Sequence, residues 1–329
     1  MLLIVFLTAC LPAISQVQSI TSLQSKNTDV SAPDSLRAAA FNSDASLVAT
    51  VSANTTTLRK VPGGQVVRTL VGHSNPANSP AFSPDRKLVA STSEDNTVKI
   101  WDSATGKLLR TLKGHTNYVD SAAFSPNGRL LATAAADSTL RIWDVASGSE
   151  VRKIDSPAGW THTVAFSRSG RFVAYVAADQ KIRVVEVDDG EEVRTIVGHP
   201  RFINALVFSP DDRTLASASL DHTVKLWDVD SGRELLTLSG QAGSVRTVAF
   251  THDGKWIASG GEDSKIKLWD VATGKIVCEL DAPVAPVIAV AFNAADSDLA
   301  STSDDGEIRS WSLREQGCPN TTAVVLGHH

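Results

Sequence analysis

Serine, histidine and aspartate recur together in this chain. His73 is followed by Ser91 and Asp95, His115 by Thr133 and Asp137, and His199 by Ser217 and Asp221, each set at the same spacing. A hydroxyl, an imidazole and a carboxylate are the parts of a nucleophilic triad, in which the base activates the hydroxyl and the acid orients the base. Number argues against that chemistry. Three equivalent sets occur in one chain, and each is closed by a tryptophan: Trp101, Trp143 and Trp227. A buried indole N–H and a buried imidazole each need a hydrogen-bond partner, so the sets are read as a repeated structural network.

Other chemistry is missing from the sequence. It has no Gly-x-x-x-x-Gly-Lys loop, no His-Glu-x-x-His and no Cys-x-x-Cys. Cys10, Cys278 and Cys318 lack metal-ligand spacing, and a Cys278–Cys318 bond stays an open alternative. No cofactor and no metal are expected. The net charge is -5 with acids and bases interspersed, which gives no basic field for nucleic acid. No small-molecule substrate is expected either.

The elements that carry these residues are hairpins. Residues 215–227 read as an apolar strand with small residues, a tight turn at Leu220-Asp221-His222, and a second strand alternating Val224 and Leu226 with Lys225 and Trp227. One hairpin cannot bury its own face and is marginal alone. The sequence supplies copies for it to pack on. Positions 101, 143, 185, 227, 269 and 311 recur every 42 residues, as Trp-Asp four times and as Val185-Glu186 and Trp311-Ser312 in eroded form. A Phe precedes each at a constant distance, from Phe82 to Phe292, and so does an Asp, from Asp95 to Asp305. An eroded first copy has Phe41, Thr50, Asn54 and Lys60 at the equivalent places. Ser-Pro-Asp and Ser-Pro-Asn-Gly segments such as Ser125-Pro126-Asn127-Gly128 mark hairpin turns.

Repeats of this length with Gly-His and Trp-Asp marks indicate four-stranded propeller blades. From Ser35 to His328 the chain resembles the WD40-repeat family. The resemblance implies an all-β, seven-bladed propeller of four-stranded antiparallel blades, about 28 strands in all, used as a rigid, non-catalytic docking platform. It implies that the Asp accepts from the His, the His from the Ser or Thr, and that the hydroxyl bonds the Trp indole. Blades 6 and 7 carry Gln241 and Pro283 in place of the His, so their networks are expected to be partial. Blade 4 carries Tyr175 and Val185 in place of Ser and Trp, and blade 1 is expected to be the loosest.

The resemblance also implies a top face where partners dock. Three and five residues after the His position, side chains are expected to point there: Tyr118 and Asp120, Trp160 and His162, Phe202 and Asn204 with Arg201 beside them, and Ser244 and Arg246. Leu220 shares that face. Exposed aromatics beside arginine are the residue types of interface hot spots. The competing reading is that these rings pack down between loops. Blades 2 and 7 present Pro76 and Pro286 with acidic turns at Glu94 and Asp304, so an acidic sector is expected there. A protein or peptide partner is the leading expectation, for a monomer or a subunit of a complex. The alternatives are a hydrolase or lyase that uses Asp120, His162 and Arg246 in the central channel, and a purely architectural envelope component.

The domain plan is a leader over residues 1–15, a polar linker over 16–33 and the propeller over 34–329. Leu7-Thr8-Ala9-Cys10 resembles a lipobox, with Cys10 acylated and the platform lipid-anchored outside the cytoplasm. An ordinary signal peptide cut near Ala13-Ile14-Ser15 and a cytoplasmic chain with a disordered tail remain alternatives. Residues 322–326 repeat the ending of the outer strands, so the C-terminal tail is expected to supply the fourth strand of blade 7.

Overall fold

The computed structural model describes residues 36–281 and 285–313 and the backbone of Val324–Leu326. The leader, the linker, Cys10, Pro283 and Cys318 lie outside the described residues. Each copy folds into one antiparallel sheet whose four strands follow chain order, giving seven sheets and 28 strands among the described residues. Every inner strand packs on the inner strand of the next blade, and the seventh packs on the first. The chain is therefore a closed seven-bladed propeller.

No single core exists. Seven apolar clusters form, one at each blade boundary. In the five blades that keep it, the Trp buries against the blade before it. Trp143 joins Ile100 and Leu112 of blade 2, and Trp227 joins Val184 and Ile196 of blade 4. Burying roughly 200 Å2 of indole at about 25 cal/mol per Å2 contributes roughly 5 kcal/mol gross. Packing across boundaries thus outweighs the ~1 kcal/mol net of any one hydrogen bond in the polar networks.

The Gly-His mark has a steric reason. A Cβ at Gly198 would lie 2.3 Å from Cη2 of Trp227, and one at Gly72 would lie 2.9 Å from that atom of Trp101. Blade 4 confirms the logic from the other side: where Val185 replaces the Trp, Ser156 stands in the glycine position. Tyr175, fully buried, fills volume at that boundary beside Val173 and Val187.

A second periodic device ties the outer strands together. Arg68 Nε donates to the Ala104 carbonyl (2.9 Å), Arg110 Nη2 to Ala146 (2.9 Å) and Arg152 Nη1 to Asp189 (2.7 Å), each in the next blade. Arg194 does the same to Asp230. The spacing of 68, 110, 152 and 194 was legible in the sequence, yet nothing there says what the guanidinium reaches.

Blade 7 takes its outer strand from the C-terminal tail, with Val324–Leu326 pairing antiparallel to Ile308–Ser312. Among the described residues no strand is exchanged between blades 7 and 1. Their boundary is held by Phe41, Val48, Ile288, Ala289 and Ile308, and by Leu36 N–H donating to Asp304 O at 2.7 Å. It is the one cluster without a buried Trp or Tyr among the described residues, because the exposed Lys60 occupies the Trp position of blade 1.

Candidate functional site

The triad-like sets are hydrogen-bonded chains inside blades 2, 3 and 5. Trp101 Nε1 donates to Ser91 Oγ (2.9 Å), Ser91 Oγ meets His73 Nε2 (2.8 Å), and His73 Nδ1 meets Asp95 Oδ2 (2.8 Å). The same distances are 2.9, 2.7 and 2.9 Å through Trp143, Thr133, His115 and Asp137. Through Trp227, Ser217, His199 and Asp221 they are 2.7, 2.7 and 2.6 Å. A hydroxyl held between an indole and an imidazole, all buried, is a strut and not an accessible nucleophile. Burial depresses His73 and His199 below the ordinary imidazole range. Burial would raise Asp137, but hydrogen bonds from His115 and Thr139 outweigh it and hold the carboxylate well below its usual range.

Blade 6 corrects the expectation of a partial network. Trp269 Nε1 donates to Ser259 Oγ at 2.8 Å. With its amide turned so that oxygen faces Ser259 and nitrogen faces Asp263, Gln241 bridges the two as an imidazole would. Blade 4 solves the missing His differently: Arg183 grips Asp179 with two bonds of 2.9 and 2.8 Å. In blade 7, Ser301 Oγ is buried without a partner among the described residues.

The residue five places after the His position has an unexpected setting. The inner strand bulges there: pairing with the second strand skips 120, 162, 204, 246 and 288 in blades 3 to 7. A bulge re-aims its side chain, and here it aims it at the next blade. Asn78 Nδ2 donates to Val119 O (2.9 Å) and Asn204 Nδ2 to Val245 O (2.7 Å). Arg37, in the equivalent place of blade 1, pairs with Glu94 at 2.8 Å. Ile288 enters the apolar boundary with blade 1. Arg246 pairs with Glu262 in its own blade (3.2 Å), and its charge pulls Asp304 of blade 7 down against the burial that raises it. The expected acidic sector is partly neutralised in this way. Sequence reasoning placed these side chains on an open face because a one-residue bulge leaves no mark in the alternation.

In blades 3 to 5 the girdle is aromatic. Trp160 Nε1 donates to Asp120 Oδ2 across the blade 3/4 boundary. The His162 ring stacks on Phe202 of blade 5, with centroids 4.0 Å apart, and Trp160 leans on both at 5.2 and 6.1 Å. His162 is 0% exposed, Asp120 5% and Phe202 9%, whereas Tyr118 is 38% exposed. Burial pushes the Asp120 carboxyl up to about 8, with Glu94 adding to the rise and Trp160 opposing it. Burial drives His162 down to about 3. Near neutral pH both groups are thus largely uncharged.

The structure therefore divides the nine candidate partner residues. Asp120, His162, Phe202 and Asn204 are buried supports, and Asn204 is committed to the neighbouring backbone. Trp160, Leu220 and Arg246 are half-buried, and Tyr118 and Arg201 are exposed. Asp120 and His162 meet through Trp160, but Arg246 is engaged with Glu262 and does not join them. Among the described residues no group of His, Cys, Asp or Glu is arranged to hold a metal ion.

Comparison with known proteins follows the repeat. The profile of the WD domain, G-beta repeat family matches residues 64–102, 106–144, 190–228, 232–270 and 274–312, together more than half of the chain. The matched stretches bypass the fourth copy, whose Trp position holds Val185. An uncharacterized WD repeat-containing protein of Synechocystis sp. is 37% identical over 67 residues. That alignment covers 20% of this chain and 19% of the relative, so it spans about a fifth of the relative's length.

Proposed function

Because this chain belongs to the WD40-repeat family, we propose that it is a non-catalytic platform that docks a protein or peptide segment on the upper mouth of blades 3 to 5. Members of the family commonly serve as protein-interaction scaffolds. The observation that supports the reading is Tyr118, an exposed ring two residues from Asp120, whose carboxyl joins the packed Trp160–His162–Phe202 group across blades 3 to 5. A docking surface carried on a packed, uncharged framework pays little ordering cost on binding, which favours affinity. At the same end of blade 5, Arg201 is exposed and Leu220 half-buried, with Leu220 N–H bonded to Phe202 O at 2.8 Å.

The test uses side chains whose loss leaves the fold intact. Tyr118→Ala and Arg201→Glu, each introduced into the full chain as bait, are expected to lose at least tenfold of a partner that the wild type retains from extracts of the source cell. A partner retained equally by all three baits would remove the upper-mouth reading. Trp160 and Phe202 are unsuitable for this purpose, since truncating them also removes a blade-to-blade support. Residues 7–10 are further proposed as an acylation signal, read from the sequence alone, that would hold the platform at a membrane through Cys10.

A further inference from the structure

A groove of about 440 Å3 opens on the rim between blades 2 and 3. It is bordered by the turns at Gly128 and Ala146, which leave the blade on the side opposite the Tyr118 loop. Leu88, Ile100 and Leu109 of blade 2 and Val145 of blade 3 make its apolar walls, and Arg110 and Arg129 edge it. Leu108 and Leu109 extend the apolar surface to the open rim. Its volume lies within the roughly 300–1,000 Å3 of ligand-holding pockets.

The two arginines differ. Arg110 is committed to the Leu109 and Ala146 carbonyls, at 2.8 and 2.9 Å. The exposed side chain of Arg129 makes no hydrogen bond or ion pair among the described residues. Asp144, which also lines the groove, feels the charge of Arg129 but gives its accepting oxygen to Ser147, taking hydrogen bonds from N–H at 2.8 Å and Oγ at 2.7 Å. The repeat supplies an internal comparison. At the same two positions in blade 4, Arg171 donates to Glu186 at 2.8 Å and covers the Phe172 ring at 4.7 Å. The longer Glu reaches its arginine where Asp144 does not. In blade 6 the equivalent Lys255 pairs with Asp253 at 3.0 Å. Blade 5 repeats the blade 3 arrangement, with the exposed Arg213 making no side-chain bond among the described residues while Asp228 turns to Ser231, so blades 3 and 5 leave this cation open and blades 4 and 6 do not.

We propose that this groove docks an acidic, leucine-bearing segment of a protein partner, with the apolar side chain between Leu88 and Val145 and a carboxylate on Arg129. An exposed ion pair adds little affinity; its role is to select the sign of the partner's charge. The groove edge carries Arg110 and Arg129 against the single carboxylate of Asp144, so a basic segment would meet a net positive edge, and a polar one would leave the walls wet. The site is separate from the upper mouth and does not rest on it.

Three labelled hexapeptides test the assignment by fluorescence anisotropy on the full chain: Gly-Glu-Leu-Leu-Glu-Gly, Gly-Lys-Leu-Leu-Lys-Gly and Gly-Glu-Ser-Ser-Glu-Gly. The first is expected to bind at least tenfold tighter than the other two. Ala146→Trp, which fills the groove from an exposed turn, should weaken it at least tenfold. Arg129→Glu should transfer the preference to the lysine peptide, and Tyr118→Ala should change nothing. Both groove variants lie on the surface, and an unchanged melting temperature verifies their fold. No binding of the first peptide, equal binding of all three, or a preference that survives either groove variant overturns the proposal.

Discussion

The indole of Trp160 donates to the carboxyl of Asp120 across the boundary of blades 3 and 4. The acceptor is a buried acid with no ion-pair partner among the described residues, and burial raises it to about 8. A group raised in the folded state adds its full stability below its unfolded value, here the ordinary 3.8, and loses it as pH rises toward 8. Asp120→Asn keeps an acceptor for the indole and removes the titration. It should match the wild type near pH 4 and exceed it by up to about 5 kcal/mol at pH 8 to 9. Urea unfolding across that range checks this; parallel curves would show that Asp120 ionises freely.

Buried histidines act in the opposite direction. His199 is depressed from 6.5, so the native chain keeps it neutral while the unfolded chain takes up a proton. Stability from this source is complete above about 6.5 and is lost as pH falls toward the folded value. Gln241 shows that an amide can hold the same place. His199→Gln is expected to stay within about 1 kcal/mol of the wild type at pH 7 and to lose less stability between pH 6.5 and 5. An unchanged acid slope would remove His199 from the list of causes.

Asp221 closes the same chain and also accepts from Thr223 at 2.6 Å. Asp221→Ala strands an imidazole nitrogen and should lower stability by about 1–3 kcal/mol. A change near zero in thermal or urea unfolding would mean that water satisfies those groups.

Gly198 and Trp227 should be coupled. Gly198→Ser places a Cβ 2.3 Å from the indole edge and is expected to destabilise by about 1–3 kcal/mol. Trp227→Val removes the obstruction and recreates the Ser156 and Val185 pairing of blade 4. The double variant should therefore be less destabilised than the sum of the single ones. Strict additivity in the four-protein cycle would refute the steric account.

Cys10 follows Leu7-Thr8-Ala9 in a lipobox-like run. Cells given a radiolabelled fatty acid are expected to label the chain, and Cys10→Ala to abolish the label. An unlabelled wild-type chain would remove the anchor from the proposed function.

The period was enough to read the ring from the residues. Strands and blade count follow from alternation repeated every 42 residues, and the hydrogen-bonded roles of His73, Ser91, Asp95 and Trp101 from the family that the repeat resembles, because those features depend on residue type and spacing. What escaped depends on aim. Asp120, His162 and Asn204 share a sequence position but sit on bulges, and a bulge is decided by sheet twist and the neighbouring blade. Gln241 looked like a loss because residue identity hides that an amide can span the same gap. Phe202 was read as an exposed ring because the stacking of His162 on it joins two different blades.

Among the described residues, the junction between blades 7 and 1 has neither a shared strand nor an indole wedge. Heat or pulling force should find its first foothold at that joint and part the wheel there, like a bracelet without a clasp. Counting blades around the circle, the fourth lies diametrically across from it. Tyr118, Trp160 and Phe202 thus occupy the quarter least disturbed when the wheel begins to gape.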